Sequence, residues 1–174
     1  MLVFLLDTNV ISGAQKKQPQ PALAAWLKRQ STLAIPFPVI LEIEIGIVEV
    51  SATNPRKAAE LRRWRDELLE TDFIYPAVTP AVARQLAAMQ CCRPLKNLWC
   101  VDQRSEKHMP GQDLFIAAIS IANTMPIATI DRGDFMLIHR YFPLPGLYDP
   151  IQGTWLVSPV NGFDATTSRS DLQR

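Results

Sequence analysis

The chain opens with six apolar residues, Met1 to Leu6, stopped by Asp7-Thr8-Asn9. A short, unbroken apolar run that ends at polar turn-formers reads as a strand covered on both faces, as in a parallel sheet with helices packed on each side. Such a strand carries Asp7 to its carboxyl end, the edge at which open α/β sheets bind their ligands. Two readings of Asp7 stay open here: a functional acid, or the cap of a following helix, a common role for Asp.

The opening pattern returns late in the chain. Pro126 to Ile130 is a second buried strand ended by an acid, Asp131. Between them, apolar spacing and Pro or Asn/Thr-Pro start signals predict helices over 22–30, 39–50, 55–71 and 81–90, and a buried helix over 112–122. Further strands are expected at 33–37, 73–75, 147–148 and 154–157, and a short helix over 135–141. The polar segment from Ser12 to Gln20 shows no helical pattern. Residues 91–111 break the rhythm and read as an insertion or long loop. The expected organisation is a single domain over 1–157 followed by a flexible tail, 158–174, of small and polar residues.

Composition narrows the setting. At 174 residues and a net charge of +1, one domain can bury a core unaided, and no global field demands or forbids a nucleic-acid partner. Three cysteines, two of them adjacent, do not make a disulfide framework, and no basic residue precedes the short apolar start, so a cytoplasmic setting is expected. The longest uncharged stretch, Leu114 to Ile130, is interrupted by Asn123-Thr124-Met125-Pro126. No membrane span is expected.

In a right-handed βαβ layout, helices that follow strands begin at the edge where the strands end. Asp7 and Asp131 end strands, while Glu42 and Asp113 fall in the early turns of helices, so all four can meet at one point. Four unpaired carboxylates would repel one another and favour protonation unless a divalent cation joined them. Oxygen-only ligation suits Mg²⁺ or Mn²⁺, and such an ion can activate water against a phosphodiester. Thr129, two residues before Asp131, faces the same way and can bond its carboxylate or a metal-bound water. Asn9 and Ser12 can do the same beside Asp7, and each of the three is also an ordinary turn or cap residue.

These residues resemble the PIN-domain ribonucleases, in particular the VapC-type toxins of bacterial toxin–antitoxin pairs. Leu6-Asp7-Thr8-Asn9-Val10-Ile11-Ser12 is similar to the family's first motif and Leu41-Glu42-Ile43-Glu44-Ile45-Gly46 to its second. Asp113-Leu114-Phe115-Ile116-Ala117-Ala118 is similar to the third, and Ala128-Thr129-Ile130-Asp131 with Asp134-Phe135 to the fourth. The resemblance covers about residues 2 to 150. It implies an α/β/α sandwich on a mainly parallel sheet, RNA cleavage dependent on Mg²⁺ or Mn²⁺, a homodimer, and inhibition by a cognate antitoxin. It also implies that Asp7, Glu42, Asp113 and Asp131 form the catalytic metal site. Whether Asp134 joins them is left open, and Glu44, two residues from Glu42 on a helix, points elsewhere. The 91–111 segment and the length of chain beyond the last strand depart from the family's usual pattern.

Positive charge near such an acidic edge is needed to hold RNA phosphates. Lys16, Lys17 and Arg132, directly after the strand-end motifs, are the first candidates. Arg93, Lys96, Arg104 and Lys107 come second and read equally well as solubilising charges. Trp99 is either a base-stacking platform or a loop anchor. Cys91, Cys92, Cys100 and His108 make a poor zinc set, because adjacent cysteines lack the gap that lets a pair chelate. The competing functions are a catalytically silent PIN-like module that binds protein or RNA, and aspartyl-phosphate chemistry at Asp7. The first has no need of four mutually repelling acids; the second usually requires another acid where Asn9 stands.

Overall fold

The computed structural model describes residues 2–100 and 111–159. Five strands form one sheet: β1 (Phe4–Leu6), β2 (Leu33–Ala34), β3 (Ile127–Ala128), β4 (Leu147–Asp149) and β5 (Thr154–Val157), in the order β2-β1-β3-β4-β5. The first four are parallel and β5 runs antiparallel to β4. Leu5 pairs with Ala34 on one side and Ile127 on the other. All three residues of β1 are buried, which is why its sequence is continuously apolar rather than alternating.

Around the sheet lie α1 (Thr8–Gln15), α2 (Pro21–Arg29), α3 (Phe37–Thr53), α4 (Pro55–Leu69), α5 (Pro80–Cys91), α6 (Asp113–Asn123) and α7 (Gly133–Tyr141). The connection from β1 to β2 moves to one side of β1, while those from β2 to β3 and from β3 to β4 move the other way. Parallel crossovers are right-handed, so the two directions place their helices on opposite faces and build an α/β/α sandwich. The reversal falls between β1 and β3, whose carboxyl ends carry Asp7 and the approach to Asp131. This is the topological switch point at which such sheets open a crevice.

Local sequence chemistry explains the helix ends. Pro occupies the first position of α2, α4 and α5, where its missing N–H costs nothing. The side chains of Asn54 and Thr79 cap α4 and α5. Helix α6 ends at Thr124 in the left-handed conformation, with φ 55°, and the buried Ser120 hydroxyl donates to the Met125 carbonyl at 2.6 Å.

The structure departs from the expected elements in three places. Residues after Asp7 form helix α1, because Val10, Ile11 and Gly13 give it a buried face that the polar Ser12 and Gln15 conceal in the sequence. The segment expected as a strand at 73–75 contributes only one bridge, Ile74 to Ala34. Within 91–111, Arg93–Leu98 is a 3₁₀-helix with Leu95 buried, and the remainder of the expected insertion, 101–110, lies outside the described residues. So does most of the expected tail, from residue 160 onward.

Phe4, Trp26, Tyr148 and Trp155 form an aromatic cluster with neighbouring ring centroids 5.0–5.8 Å apart. Gly146 leads into β4 beside it. A Cβ there would stand 2.9 Å from Pro126 Cβ and 3.0 Å from Trp155 Cζ3, closer than carbon atoms approach without displacement. Gly146→Ala should therefore destabilise the chain by about 1–3 kcal/mol, read as a lower urea midpoint at unchanged slope. Among the described residues no helix is long and apolar enough to cross a membrane.

Candidate active site

Asp7 is both a cap and a cleft residue. Its Oδ1 accepts the Thr8 N–H at 2.7 Å, so it starts α1, and its Oδ2 accepts the Thr129 hydroxyl at 2.7 Å. The Asp7 N–H donates to the Ala128 carbonyl at 3.1 Å, which fixes the acid's backbone against the end of β3. The two readings left open by the sequence are thus compatible.

Glu42 lies in the second turn of α3 and Asp113 at the first position of α6. Asp131 stands three residues beyond the end of β3 rather than on it. The chain leaves the sheet early there because the Thr129 hydroxyl is bridged to the Asp131 backbone, accepting its N–H at 3.0 Å and lying 2.9 Å from its carbonyl oxygen. Asp7, Glu42, Asp113 and Asp131 nevertheless line one cleft of about 270 Å³ with Thr8, Asn9, Ser12 and Asp134. Of the described residues lining it, none is basic and five are acids. Asp134 enters it from the first turn of α7.

The electrostatics follow from this crowding. Asp7 is only 5 % exposed. Burial pushes its carboxyl up to about 6, against the hydrogen bonds from Thr129 and the Thr8 N–H, and the charges of Glu42 and Asp131 push the same way as burial. Asp113 is pushed up to about 7, first by burial and then by the negative charges of Asp7, Asp134, Glu42 and Asp131.

The polar neighbours hold their posts by routes that differ from those expected. Thr129 bonds the carboxylate of Asp7, not that of Asp131, because its hydroxyl points across the β1–β3 pairing. Asn9 does not touch Asp7: its side chain spans Thr129 and the Ile130 N–H. Ser12 donates to the Asn9 carbonyl at 3.3 Å. Sequence reasoning missed Thr8, whose hydroxyl donates to Glu42 Oε2 and ties α1 to α3. Its only signal was its position beside Asp7, at the start of the helix that a capping Asp7 would open.

Other candidates fall outside the cleft. Lys16 and Lys17 are exposed at the end of α1, and Arg132 is exposed as the cap of α7. Glu44 pairs with Arg65 of α4 instead of joining the acids. Trp99 packs against the core, the anchoring role. Cys91, Cys92 and Cys100 are free thiols, and His108 lies outside the described residues.

Among the described residues lining the cleft the charged groups are all carboxylates, without His or Cys, which fits a hard ion such as Mg²⁺ or Mn²⁺ rather than zinc. Among the described residues no three acidic, His or Cys side chains are gathered into a ready-made metal cage. Mg²⁺ does not require one, since it keeps several waters and takes one or two carboxylates directly. The donor set therefore fits a hydrated divalent ion.

A parallel α/β/α sandwich with an acid-lined cleft at its switch point is the architecture of a nuclease-like domain. The chain belongs to the PIN domain family, whose model matches residues 4–135. Ribonuclease VapC14 of Mycobacterium tuberculosis is 33 % identical over 79 residues, 42 % of this chain and 74 % of that protein. VapC ribonuclease Y4jK of Sinorhizobium fredii is 28 % identical over 137 residues, 76 % of this chain and 90 % of that protein. Among solved structures, VapBC2 from Rickettsia felis, bound to a DNA fragment from its promoter, superposes with a TM-score of 0.61. The identity is 17 %, and the match covers 88 % of this chain and 99 % of that one.

Proposed function

We propose that the chain is a divalent-metal-dependent endoribonuclease and the toxin of a toxin–antitoxin pair, acting in the cytoplasm. The observation that carries this reading is the cleft itself: Asp7, Glu42, Asp113 and Asp131 brought together, with no basic side chain among the described residues that line it. A module that only binds partners has no need of that repulsion. The two VapC ribonucleases among its relatives support RNA as the substrate, and the VapBC structure supports a bound antitoxin.

In this reading Asp7, Glu42, Asp113 and Asp131 hold the ion, with Asp134 alongside. A divalent ion there supplies positive charge against the phosphate and its leaving oxygen and makes water more acidic. The reaction is hydrolysis: a water oxygen bonds to phosphorus, the bond to the leaving ribose oxygen breaks, and that oxygen takes up a proton. Asp7 enters the reaction already oriented, with one lone pair on each oxygen committed to Thr8 and Thr129. Thr8 holds Glu42 in the same way. Asp113, whose carboxyl is pushed up to about 7 by burial and the neighbouring acids, would give up its proton in order to hold the ion.

In this reading Lys16, Lys17 and Arg132, exposed and outside the cleft lining, would meet RNA phosphates beyond the cleft. Phe37 and Val48 leave apolar side chains of α3 exposed, the kind of surface that an antitoxin or the second copy of a homodimer would cover.

The test is cleavage of a mixed RNA pool by the purified chain with Mn²⁺, with Mg²⁺ and with chelator. Discrete fragments that require the ion are the expected result. Calorimetrically silent Mn²⁺ titrations together with an intact pool would overturn the nuclease reading in favour of the silent binding module.

A further inference from the structure

The side chains of Asp7, Asn9 and Thr129 are bonded in a way that leaves little freedom. The Ile130 backbone N–H can only donate, and it points to Asn9 Oδ1 at 3.1 Å. That contact sets which end of the Asn9 amide is oxygen, so the NH₂ end faces Thr129 Oγ1, at 3.1 Å. The Asp131 backbone N–H donates to the same Oγ1 at 3.0 Å. A hydroxyl oxygen has two lone pairs and one proton. With both lone pairs occupied, Thr129 has only its proton left to place. Asp7 Oδ2 at 2.7 Å and the Asp131 carbonyl at 2.9 Å compete for it, and the shorter contact to the charged acceptor is the stronger. Thr129 is fully buried, so water does not offer a third choice.

We propose that Asn9 is a positioning residue: by donating to Thr129 it commits the threonine proton to Asp7 Oδ2 and so sets the orientation of the Asp7 carboxylate in the cleft. The relay runs from the first turn of α1, across the end of β3 and back to the end of β1. It explains why Asn9 lines the cleft without touching Asp7. The proposal rests on the nuclease reading for its effect on catalysis, but not for its effect on ion binding.

Asn9→Asp is the decisive variant. It keeps an acceptor for the Ile130 N–H but turns the donor facing Thr129 into a second acceptor, which draws the threonine proton away from Asp7. Asn9→Ala removes the donor alone. Both would be compared with wild type, Thr129→Val and Thr129→Ser, and with Asn9→Asp combined with Thr129→Val. The readouts are the Mn²⁺ dissociation constant by calorimetry on chelator-stripped protein, the melting temperature, and kcat and KM for a cleaved RNA. Loss of an outer partner of a metal ligand costs about 10–100-fold in ion affinity or activity.

Asn9→Asp should therefore weaken Mn²⁺ binding or lower kcat by about tenfold or more, with KM for RNA little changed and with a larger effect than Asn9→Ala. Thr129→Ser, which keeps the hydroxyl, should stay near wild type. In the Thr129→Val background Asn9→Asp should have little further effect, since the proton it diverts is gone. An equal effect of Asn9→Asp with and without the Thr129 hydroxyl would overturn the proposal by showing a plain charge effect, as would wild-type affinity and kcat in Asn9→Asp. A wild-type chain that cut no RNA would count against the nuclease reading alone, and the Mn²⁺ measurements would still decide the role of Asn9.

Discussion

Asp7→Asn should lower metal-dependent RNA cleavage by about 10³-fold while the chain stays folded. Charge stabilisation by a catalytic ion amounts to several kcal/mol, and about 4 kcal/mol corresponds to three factors of ten in rate. The replacement is nearly isosteric and keeps an oxygen for the Thr8 N–H, but it removes the charge from the most buried acid of the cleft. It also removes a carboxylate that burial already makes unfavourable in its charged form, which offsets the lost hydrogen bond from Thr129, so the chain should stay folded. Initial rates at saturating Mn²⁺, with far-ultraviolet circular dichroism as the folding control, would check this. A rate within tenfold of wild type would remove Asp7 from the catalytic set.

Asp113→Asn should separate stability from activity still more clearly. Burial and the neighbouring acids push the Asp113 carboxyl up to about 7, well above the ordinary aspartate value of about 3.9, so the native state binds its proton more tightly than the unfolded chain does. The stability contributed by that proton is fully present below about pH 4 and is lost as pH rises through about 7. In chelator, wild type should therefore weaken over that range relative to the variant, whose amide does not titrate. Part of the shift is screened at the half-buried site, and a difference of about 2 kcal/mol at pH 7.5 is expected, or roughly 4–8 °C in Tm for a chain of this size. The advantage should vanish near pH 4 and reverse when Mn²⁺ is added, because only wild type keeps the full ligand set. The variant should also lose cleavage. Thermal melts at four pH values with and without Mn²⁺ would test all of this, and a variant less stable than wild type at pH 7.5 in chelator would contradict the repulsion on which the site assignment rests.

The acids could be read from the sequence because each sits next to a strong local signal: an apolar run that ends at Asp7, a Pro-started helix before Glu42, a buried helix opening at Asp113, and a second apolar run before Asp131. Helix α1 could not, since its buried face is only Val10, Ile11 and Gly13, too few for a period to show. The partners of Thr129 and Asn9 across the sheet could not be named for a related reason. Alternation along a strand says which face a side chain takes, but not which neighbouring strand lies there to receive it.

The sequence by itself determined the buried parallel strands, the helix starts and the carboxylates at the strand-end edge, because apolar runs, Pro positions and caps act over a few residues. Only the tertiary structure decided that β1 and β3 are adjacent, with Asp7 bonded to Thr129 across their ends, that Thr8 holds Glu42, and that five acids share one cleft. Those contacts join residues 34 to 122 positions apart. They depend on strand order and on the faces taken by the crossovers, which no local pattern encodes.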